Sequence, residues 1–186
     1  MKTVLKLLKS RRSTVLFSVK KIDSDCIENL FEAARWAPSS MNEQPWRFIY
    51  STRDDTSFND FLNCLHENNK EWAQHAYMLL ITVAHTISDY NKKENPYAIH
   101  DTAMAFAYLT IQALSSGLSV HPMGGFSKEK VAQIALIPRS YIPLVVAAIG
   151  YKSESKKFPD HLERRESSPR QRNQIREIAF RNHFEV

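Results

Sequence analysis

Apolar residues recur along the chain with two spacings, one typical of helices and one typical of strands. Ile27, Leu30, Phe31 and Ala34 lie at positions i, i+3, i+4 and i+7, which predicts an amphipathic helix capped by Ser24. The same reasoning predicts helices over residues 1–13, 58–65, 98–116 and 128–135. Aromatic and β-branched runs predict strands over 46–52, 76–86 and 143–151, with a short one near 118–120.

The mixture of helices and strands indicates a layered fold of the α+β or α/β class. The run 76–86 is apolar throughout, which predicts a strand buried on both faces. The stretch 98–116 is apolar nearly all round and predicts a helix buried in the core, ended by Gly117. The order of the strands does not follow from this pattern.

The connection "APSSMNEQPW", Ala37 to Trp46, does not fit a simple chain reversal. Pro38 ends the preceding helix, and a second proline stiffens the loop before the next strand. Serine, asparagine and glutamine side chains fill the space between the two prolines. Core building alone does not explain so many hydrogen-bonding groups in a stiffened connection.

The chain of 186 residues is long enough for one domain with a full core, and its 43% hydrophobic content is ordinary for a globular protein. No window approaches 18 consecutive apolar residues, and lysines interrupt the N-terminal segment, so neither a membrane span nor a signal peptide is expected. Cys26 and Cys64 are far apart without a CxxC motif, which favours free thiols in the cytoplasm. The seven histidines show no metal-binding spacing.

The net charge of +5 and a pI near 9.2 predict an anionic partner, either a nucleic acid or a phosphorylated cofactor. Two basic motifs offer guanidinium groups suited to phosphate: Arg11, Arg12 and Ser13 near the start, and Arg170 and Arg172 in the polar tail. Considered alone, each motif is equally consistent with a solvated basic surface.

Two of the four glycines stand side by side in "MGGF", after Met123. Gly124 and Gly125 would let backbone N–H groups approach a flat or anionic ligand, although a plain tight turn explains them as well. Asn69 could cap a turn, and Asp101 could be a satisfied buried carboxylate.

Motifs for nucleophilic or nucleotide chemistry are absent from the sequence, since it contains no GxSxG, Walker or GxGxxG pattern. Difficult chemistry would therefore have to come from a bound cofactor.

Taken in order, the motifs resemble the flavin-dependent nitroreductase family from about Ser10 to the end. The similar segments are "RRS" with a following phenylalanine, "AARWAPSSMNEQPWRF", "NKEW", "DTAMAFAYLTIQALSSGLSVHPMGGF", "AAIGY" and "PRQR". The resemblance implies a single FMN-binding domain over 1–186, with a central mixed or antiparallel sheet flanked by helices. It also implies an intertwined homodimer in which residues 152–186 pack on the partner subunit.

The resemblance also assigns roles to individual residues. The polar loop would reach a flavin bound mainly by the other subunit, through Pro38, Ser39, Ser40 and Asn42, with Gln44 and Trp46 in support. Arg11, Arg12 and Ser13 would hold the FMN phosphate and ribityl chain, and Arg170 and Arg172 would close on the same phosphate. Asn69 would contact the polar edge of the flavin, while Met123, Gly124 and Gly125 would lie against its ring system.

One position departs from the family pattern. The second residue after the "RRS" serine is usually basic and stabilises reduced flavin, whereas Val15 stands there in this chain. Lys70, next to Asn69, is a candidate replacement. Ser127 stands where an aspartate is common, with only a helix-capping consequence.

The resemblance implies an NAD(P)H oxidoreductase that passes hydride by a ping-pong mechanism through FMN to nitroaromatic, quinone or flavin acceptors. The sequence distinguishes neither NADH from NADPH nor one acceptor from another. Val15 motivates an alternative, a flavin store or sensor with little turnover. A nucleic-acid binder is a third possibility, but the basic tail offers only terminal phenylalanines as stacking platforms.

Overall fold

A computed structural model describes residues 4–155 and 157–184, and these residues form an antiparallel sheet with helices on both faces. The helices are α1 (Lys6–Ser10), α2 (Ser24–Arg35), α3 (Phe58–Asn63), α4 (Glu67–Ala73), α5 (Ala98–Ser115), α6 (Lys128–Ile134) and α7 (Asp160–Ser167). The strands are β1 (Trp46–Thr52), β2 (Met78–His85), β3 (Leu118–Met123) and β4 (Tyr141–Tyr151). Short 3₁₀ turns cover Ser40–Asn42 and Ile175–Glu177.

The sheet has the order β1-β2-β4-β3, and every neighbouring pair is antiparallel. This confirms the predicted α+β class with an antiparallel sheet. The long strands β2 and β4 lie in the centre, where Ile81 of β2 pairs with Ile49 on one side and Val146 on the other.

Alternate residues of β2 enter two separate cores, as a strand buried on both faces requires. Leu79 and Ile81 lie in one core with α3, α4 and α6, and Leu80 lies in the other with α2 and α5. Seven of the eight residues of β2 are buried, which confirms the prediction from its continuous apolar run.

The helix α5 differs from its prediction, because in the single chain it is buried on one face only. Ala105, Leu109 and Ala113 are fully buried, whereas Tyr108 is 42% and Ile111 is 39% exposed. Apolar residues cover both faces, but the described chain supplies packing partners for one of them. Gly117 ends the helix with a φ of +74°, as its C-cap position predicts.

Several elements differ from the sequence prediction, among them α1, which ends at Ser10 and not at Ser13. Asp23, not Ser24, is the N-cap of α2. The helix α4 was not predicted, and Asn69 lies inside it instead of capping a turn. The strand β3 runs through Pro122, which an edge strand tolerates because one side of its backbone needs no partner.

Residues 16–18, near the start of the chain, pair with residues 151–153 at the end of β4. Ser18 N donates to Tyr151 O at 2.9 Å, and Ser153 N donates to Leu16 O at 2.8 Å. This short pairing fixes the segment that follows the "RRS" motif against the segment that leads into α7. Leu162 of α7 is 2% exposed and belongs to the core on the α3 side.

We predict that Gly150→Ala destabilises the protein, since a Cβ there would lie 3.2 Å from Tyr77 N and 3.3 Å from Phe17 Cδ1. The expected loss is about 1–3 kcal/mol, measured as a lower urea midpoint of the flavin-free protein. Gly124→Ala is the matched control, because no atom lies within 4 Å of its added Cβ. Equal midpoints for the two variants would contradict the prediction.

Candidate functional site

The two basic motifs, far apart in sequence, lie together in the structure. Arg170 donates hydrogen bonds to the main-chain oxygens of Arg11 and Lys9, the latter at 2.6 Å. Burial and the nearby charges of Arg172 and Arg170 lower the pKa of Arg11. Arg11 Nη1 also donates to Ser13 Oγ at 3.2 Å, which places the serine hydroxyl at the edge of the same cluster.

In the part of the chain that the structure describes, no carboxylate neutralises this group of arginines. Within residues 4–155 and 157–184, none of Arg11, Arg170 and Arg172 has a carboxylate oxygen within 4 Å. Like charges held together without a counter-ion form a site for an anion, and planar guanidinium groups suit a phosphate.

Two open cavities border the arginine cluster and share Leu8. One, of about 470 Å³, is lined by Val4, Leu8, Lys9, Arg170 and Arg172. The other, of about 430 Å³, runs along the exposed face of α5 and includes Arg11, Ser13, Phe106 and Pro122 in its lining. A polar anion site therefore adjoins an apolar groove, which suits a ligand with one charged end and one aromatic end.

Arg12 occupies a different position from its neighbour Arg11. Its Nη2 donates to Ser168 O at 2.6 Å and to Arg165 O at 3.4 Å, at the C-terminal end of α7. Its Nε lies 3.8 Å from Glu166 Oε1. In the described chain the Arg12 guanidinium therefore caps a helix and does not join Arg11, and the contact of Arg12 with a phosphate stays a prediction.

Asn69 and Gly125 are in direct contact. Asn69 Nδ2 donates to Gly125 O at 3.1 Å, and a Cβ on Gly125 would lie only 2.8 Å from that nitrogen. A side chain at position 125 would therefore require Asn69 to move, and the contact of Gly125 with a ligand stays a prediction. Gly124 is exposed with open space at its Cβ position, so its backbone remains accessible.

Met123 does not present its side chain to the site. It is 3% exposed and lies in the core on the α3 side, because β3 alternates and Met123 points inward. In the described chain the side chain of Met123 therefore lies in the core, and the contact of Met123 with a ring system stays a prediction. The backbone of the Met123–Gly124 step is the part that faces outward.

The loop Pro38–Gln44 is held in a strained conformation by contacts at both ends. Met41, Asn42 and Gln44 all have positive φ values, between 47° and 55°, which is uncommon for non-glycine residues. Ser39 Oγ accepts from Gln44 N at 3.0 Å, so this serine closes the loop on itself. Pro38, Met41 and Asn42 are exposed, and Ser40 is half-buried.

Two carboxylates anchor that loop. The buried Asp101 of α5 accepts from Ser40 N at 2.9 Å, which accounts for a charged residue inside the helix bundle. Glu43 accepts from Ser88 Oγ and from the backbone N–H groups of Asp89 and Tyr90. In the described chain no hydrogen bond or ion pair joins this loop to the arginine cluster, so the two groups of predicted residues remain separate.

His121 contributes to the site although its sequence context gives no signal for it. The imidazole is 8% exposed, stacks on Trp72 with centroids 4.2 Å apart, and has Nδ1 2.7 Å from Thr14 O. Burial lowers the pKa of His121, so the ring is neutral, and Nδ1 must carry the proton that a carbonyl accepts. His121 therefore fixes the backbone just after Ser13.

The surroundings of Val15 and Lys70 show how this chain differs at the position where a basic residue is usual, the second after Ser13. Val15 is 1% exposed and packs in the core, so it offers no cation to a ligand. Lys70 Nζ pairs with Glu67 Oε1 at 2.8 Å on the surface of α4.

Two other residues singled out in the sequence have structural roles. Burial raises the pKa of Cys64 and keeps it a protonated thiol. Ser127 caps α6 by accepting from Lys130 N.

No three His, Cys, Asp or Glu side chains group as metal ligands in the described part of the chain. Across the same residues, no helix has the length and apolar character needed to cross a bilayer.

An antiparallel α+β fold with clustered arginines beside an apolar groove is compatible with a protein that binds a cofactor. A profile of the nitroreductase family matches residues 8–76 and 53–151, so the chain belongs to the nitroreductase family.

Individual relatives agree with this membership. A crystal structure described as an oxidoreductase containing FMN superposes with a TM-score of 0.93 at 30% identity, covering 99% of this chain and 94% of that one. A 15.4 kDa protein of unknown function from Mycolicibacterium smegmatis is 32% identical over 68% of this chain and 83% of its own length. A protein from Archaeoglobus fulgidus, provisionally named an NADH dehydrogenase/NAD(P)H nitroreductase, is 26% identical over 85% and 90%.

We predict that Asp101→Ala loosens the Pro38–Gln44 loop, because Ser40 N–H loses its buried acceptor. The expected result is faster hydrogen exchange in a peptide covering residues 38–44 and a stability loss of about 1–3 kcal/mol. His100→Ala serves as control, since that exposed side chain touches the other oxygen of Asp101 and leaves the bond to Ser40 intact. Unchanged exchange in Asp101→Ala would show that the loop is held by other contacts.

Proposed function

We propose that this protein is an FMN-dependent NAD(P)H oxidoreductase of the nitroreductase type. The observation that carries the proposal is the cluster of Arg11, Arg170 and Arg172, which has no carboxylate partner among the described residues. A phosphate ester placed there would receive charge-assisted hydrogen bonds from guanidiniums already held in position. The structure described as containing FMN, which covers nearly the whole chain, supports the choice of ligand.

The remaining residues fit the other parts of FMN. Ser13 lies at the edge of the arginine cluster, where a hydroxyl suits the ribityl chain. Asn69 uses its Nδ2 on Gly125 and retains its Oδ1 for the polar edge of a ring system. The open backbone at Gly124 and the apolar groove along α5 accommodate a planar face.

When bound, FMN supplies the redox chemistry, taking hydride from NAD(P)H and passing it to a nitroaromatic, quinone or flavin acceptor in a ping-pong sequence. The protein itself contributes the binding and orientation of the flavin and the electrostatic environment of the reaction. None of its side chains needs to act as a general acid or base in this proposal.

We further propose that the active form is a homodimer. The exposed face of α5 carries Tyr108 and Ile111, and Trp36 beside them is 72% exposed. Ile175, Ile178 and Phe184 of the tail are also more than half exposed. A second copy covering these surfaces would bury apolar area that a single chain leaves in water.

The contacts within the chain bear on how much of the tail, residues 152–186, could pack on the partner subunit. Residues 157–168 lie against their own chain through Leu162, through the capping of α7 by Arg12, and through His161, whose Nε2 lies 2.9 Å from Glu71 Oε1. Residues 169–184 are almost wholly exposed. Since Arg170 also contacts its own chain, the segment proposed to pack on the partner subunit is the part beyond Arg172, and the loop Pro38–Gln44 would reach the partner's flavin.

We predict that Arg170→Ala weakens FMN binding about 10- to 100-fold, because a charge-assisted hydrogen bond contributes about 1.5–3 kcal/mol. Quenching of flavin fluorescence measures the dissociation constant. Arg139→Ala removes an equal charge from an exposed position between α6 and β4, and we expect it to leave the constant within about twofold. Equal effects of the two variants would mean that only net charge attracts the flavin.

Anaerobic titration of the FMN-loaded protein with NADH and NADPH separates the reductase from a flavin store or sensor. We expect the visible absorbance band of the oxidised flavin to bleach with at least one donor. A protein that binds FMN but stays oxidised would favour the store or sensor, the alternative that buried Val15 supports. Val15→Arg is a poor test of this point, since it would place a guanidinium in the core.

A nucleic-acid-binding role has little structural support. The two phenylalanines of the tail, Phe180 and Phe184, contact each other with centroids 4.7 Å apart instead of forming an open stacking surface.

A further inference from the structure

Glu166 is a carboxylate of α7 that is buried away from the arginine cluster. Its side chain is 7% exposed, and its partners come from two other segments of the chain. Oε2 accepts from Thr14 Oγ1 at 2.8 Å and from Val15 N at 3.1 Å, and Oε1 lies 2.8 Å from Lys152 Nζ. Burial opposes ionisation, but the bonds from Lys152, Thr14 and Val15 outweigh it and hold the pKa of Glu166 below its usual value.

Arg12 completes the attachment of the same helix end. By donating to Ser168 O and Arg165 O it satisfies carbonyl groups that a helix C-terminus leaves unpaired. Together, Glu166 and Arg12 fix the last turn of α7 onto residues 12–15. We call this set of contacts, made by Arg12, Thr14, Val15, Lys152 and Glu166, the α7 anchor.

The α7 anchor determines where the tail arginines begin. Only Ser168 and Pro169 separate the end of α7 from Arg170, and proline restricts the path of that short connection. Arg170 then reaches the main-chain oxygens of Arg11 and Lys9. A shift of the helix end would move Arg170 away from Arg11 by a similar distance.

A positioning device is needed because the three guanidiniums repel one another. Glu166 does not neutralise them, since its oxygens are occupied by Thr14, Val15 and Lys152. Glu166 lies outside the anion site and attracts the basic N-terminal segment to α7. The arginine cluster therefore keeps its positive charge for a ligand.

We propose that Glu166 is a positioning residue for the phosphate of the bound flavin. It holds the tail arginines opposite Arg11 through the α7 anchor and touches no ligand itself. This inference rests on the proposed function, because it assumes that the arginine cluster binds the FMN phosphate.

The test compares FMN with riboflavin, which has the same ring system and no phosphate, on full-length Glu166→Gln. Whichever way the Gln amide turns, its NH₂ group opposes either Lys152 or the Thr14 and Val15 donors, so the anchor loses contacts. We expect the dissociation constant for FMN to rise about tenfold or more while that for riboflavin stays unchanged. Asp160→Asn removes a charge from an exposed position of the same helix and should change neither constant.

The outcomes separate the inference from the proposed function. An equal loss for both flavins would show a merely structural role, and an unchanged FMN constant would show no role; either result overturns the inference while FMN binding by the wild type stands. If the wild type binds neither flavin, the proposed function fails, and the inference fails with it.

If Glu166→Gln does not fold, two uncharged substitutions of Thr14 provide the same test. Thr14→Val removes the hydroxyl that donates to Glu166 and keeps the volume of the side chain, whereas Thr14→Ser keeps the donor. We expect Thr14→Val to weaken FMN binding several-fold without affecting riboflavin, and Thr14→Ser to restore the wild-type value. Identical FMN constants for the two variants would overturn the inference.

Discussion

The candidate site requires two basic segments, about 160 residues apart in the chain, to lie together against their mutual repulsion. Two features of the structure meet this requirement. The pairing of residues 16–18 with 151–153 joins the segment after Arg11 to the segment that leads into α7. The buried Glu166 then joins α7 to Thr14 and Val15 and replaces a diffuse electrostatic attraction with directed hydrogen bonds. The positive charge of Arg11, Arg170 and Arg172 stays available because this carboxylate is engaged with Thr14, Val15 and Lys152.

Glycine and polar residues near the site serve its internal geometry as much as any ligand. Asn69 donates to the carbonyl of Gly125 and lies so close that a Cβ at this position would be only 2.8 Å from its Nδ2. His121 holds the Thr14 carbonyl, and Asp101 holds the Ser40 amide. Each of these groups orders a neighbouring segment that carries a predicted binding residue. Such preorganisation reduces the entropy lost when a ligand binds, because the segments are already in place.

The sequence predicted the elements whose apolar periodicity is strong and missed those without it. The strand Trp46–Thr52 has the predicted bounds, whereas α4 buries only Trp72 and Ala73, too few to produce a helical pattern. The inward direction of Met123 depends on the register of β3, which the motif "MGGF" does not contain. Glu166 lies in the run "ERRESS", which resembles a solvated charge cluster, and its burial depends on residues about 150 positions away. Long-range contacts of this kind leave no local signal.

The single chain leaves two features without an internal explanation, and both point to a second copy. Positive φ values at Met41, Asn42 and Gln44 raise the free energy of the loop. Asp101 and Glu43 nevertheless hold the loop in that conformation. Apolar residues on α5 face water although the opposite face of the same helix is fully buried. A partner seated on α5 would bury the second face, and a rigid loop would then meet a surface outside its own chain. This reasoning supports the proposed homodimer from the energetics of the described residues, independently of the family to which the chain belongs.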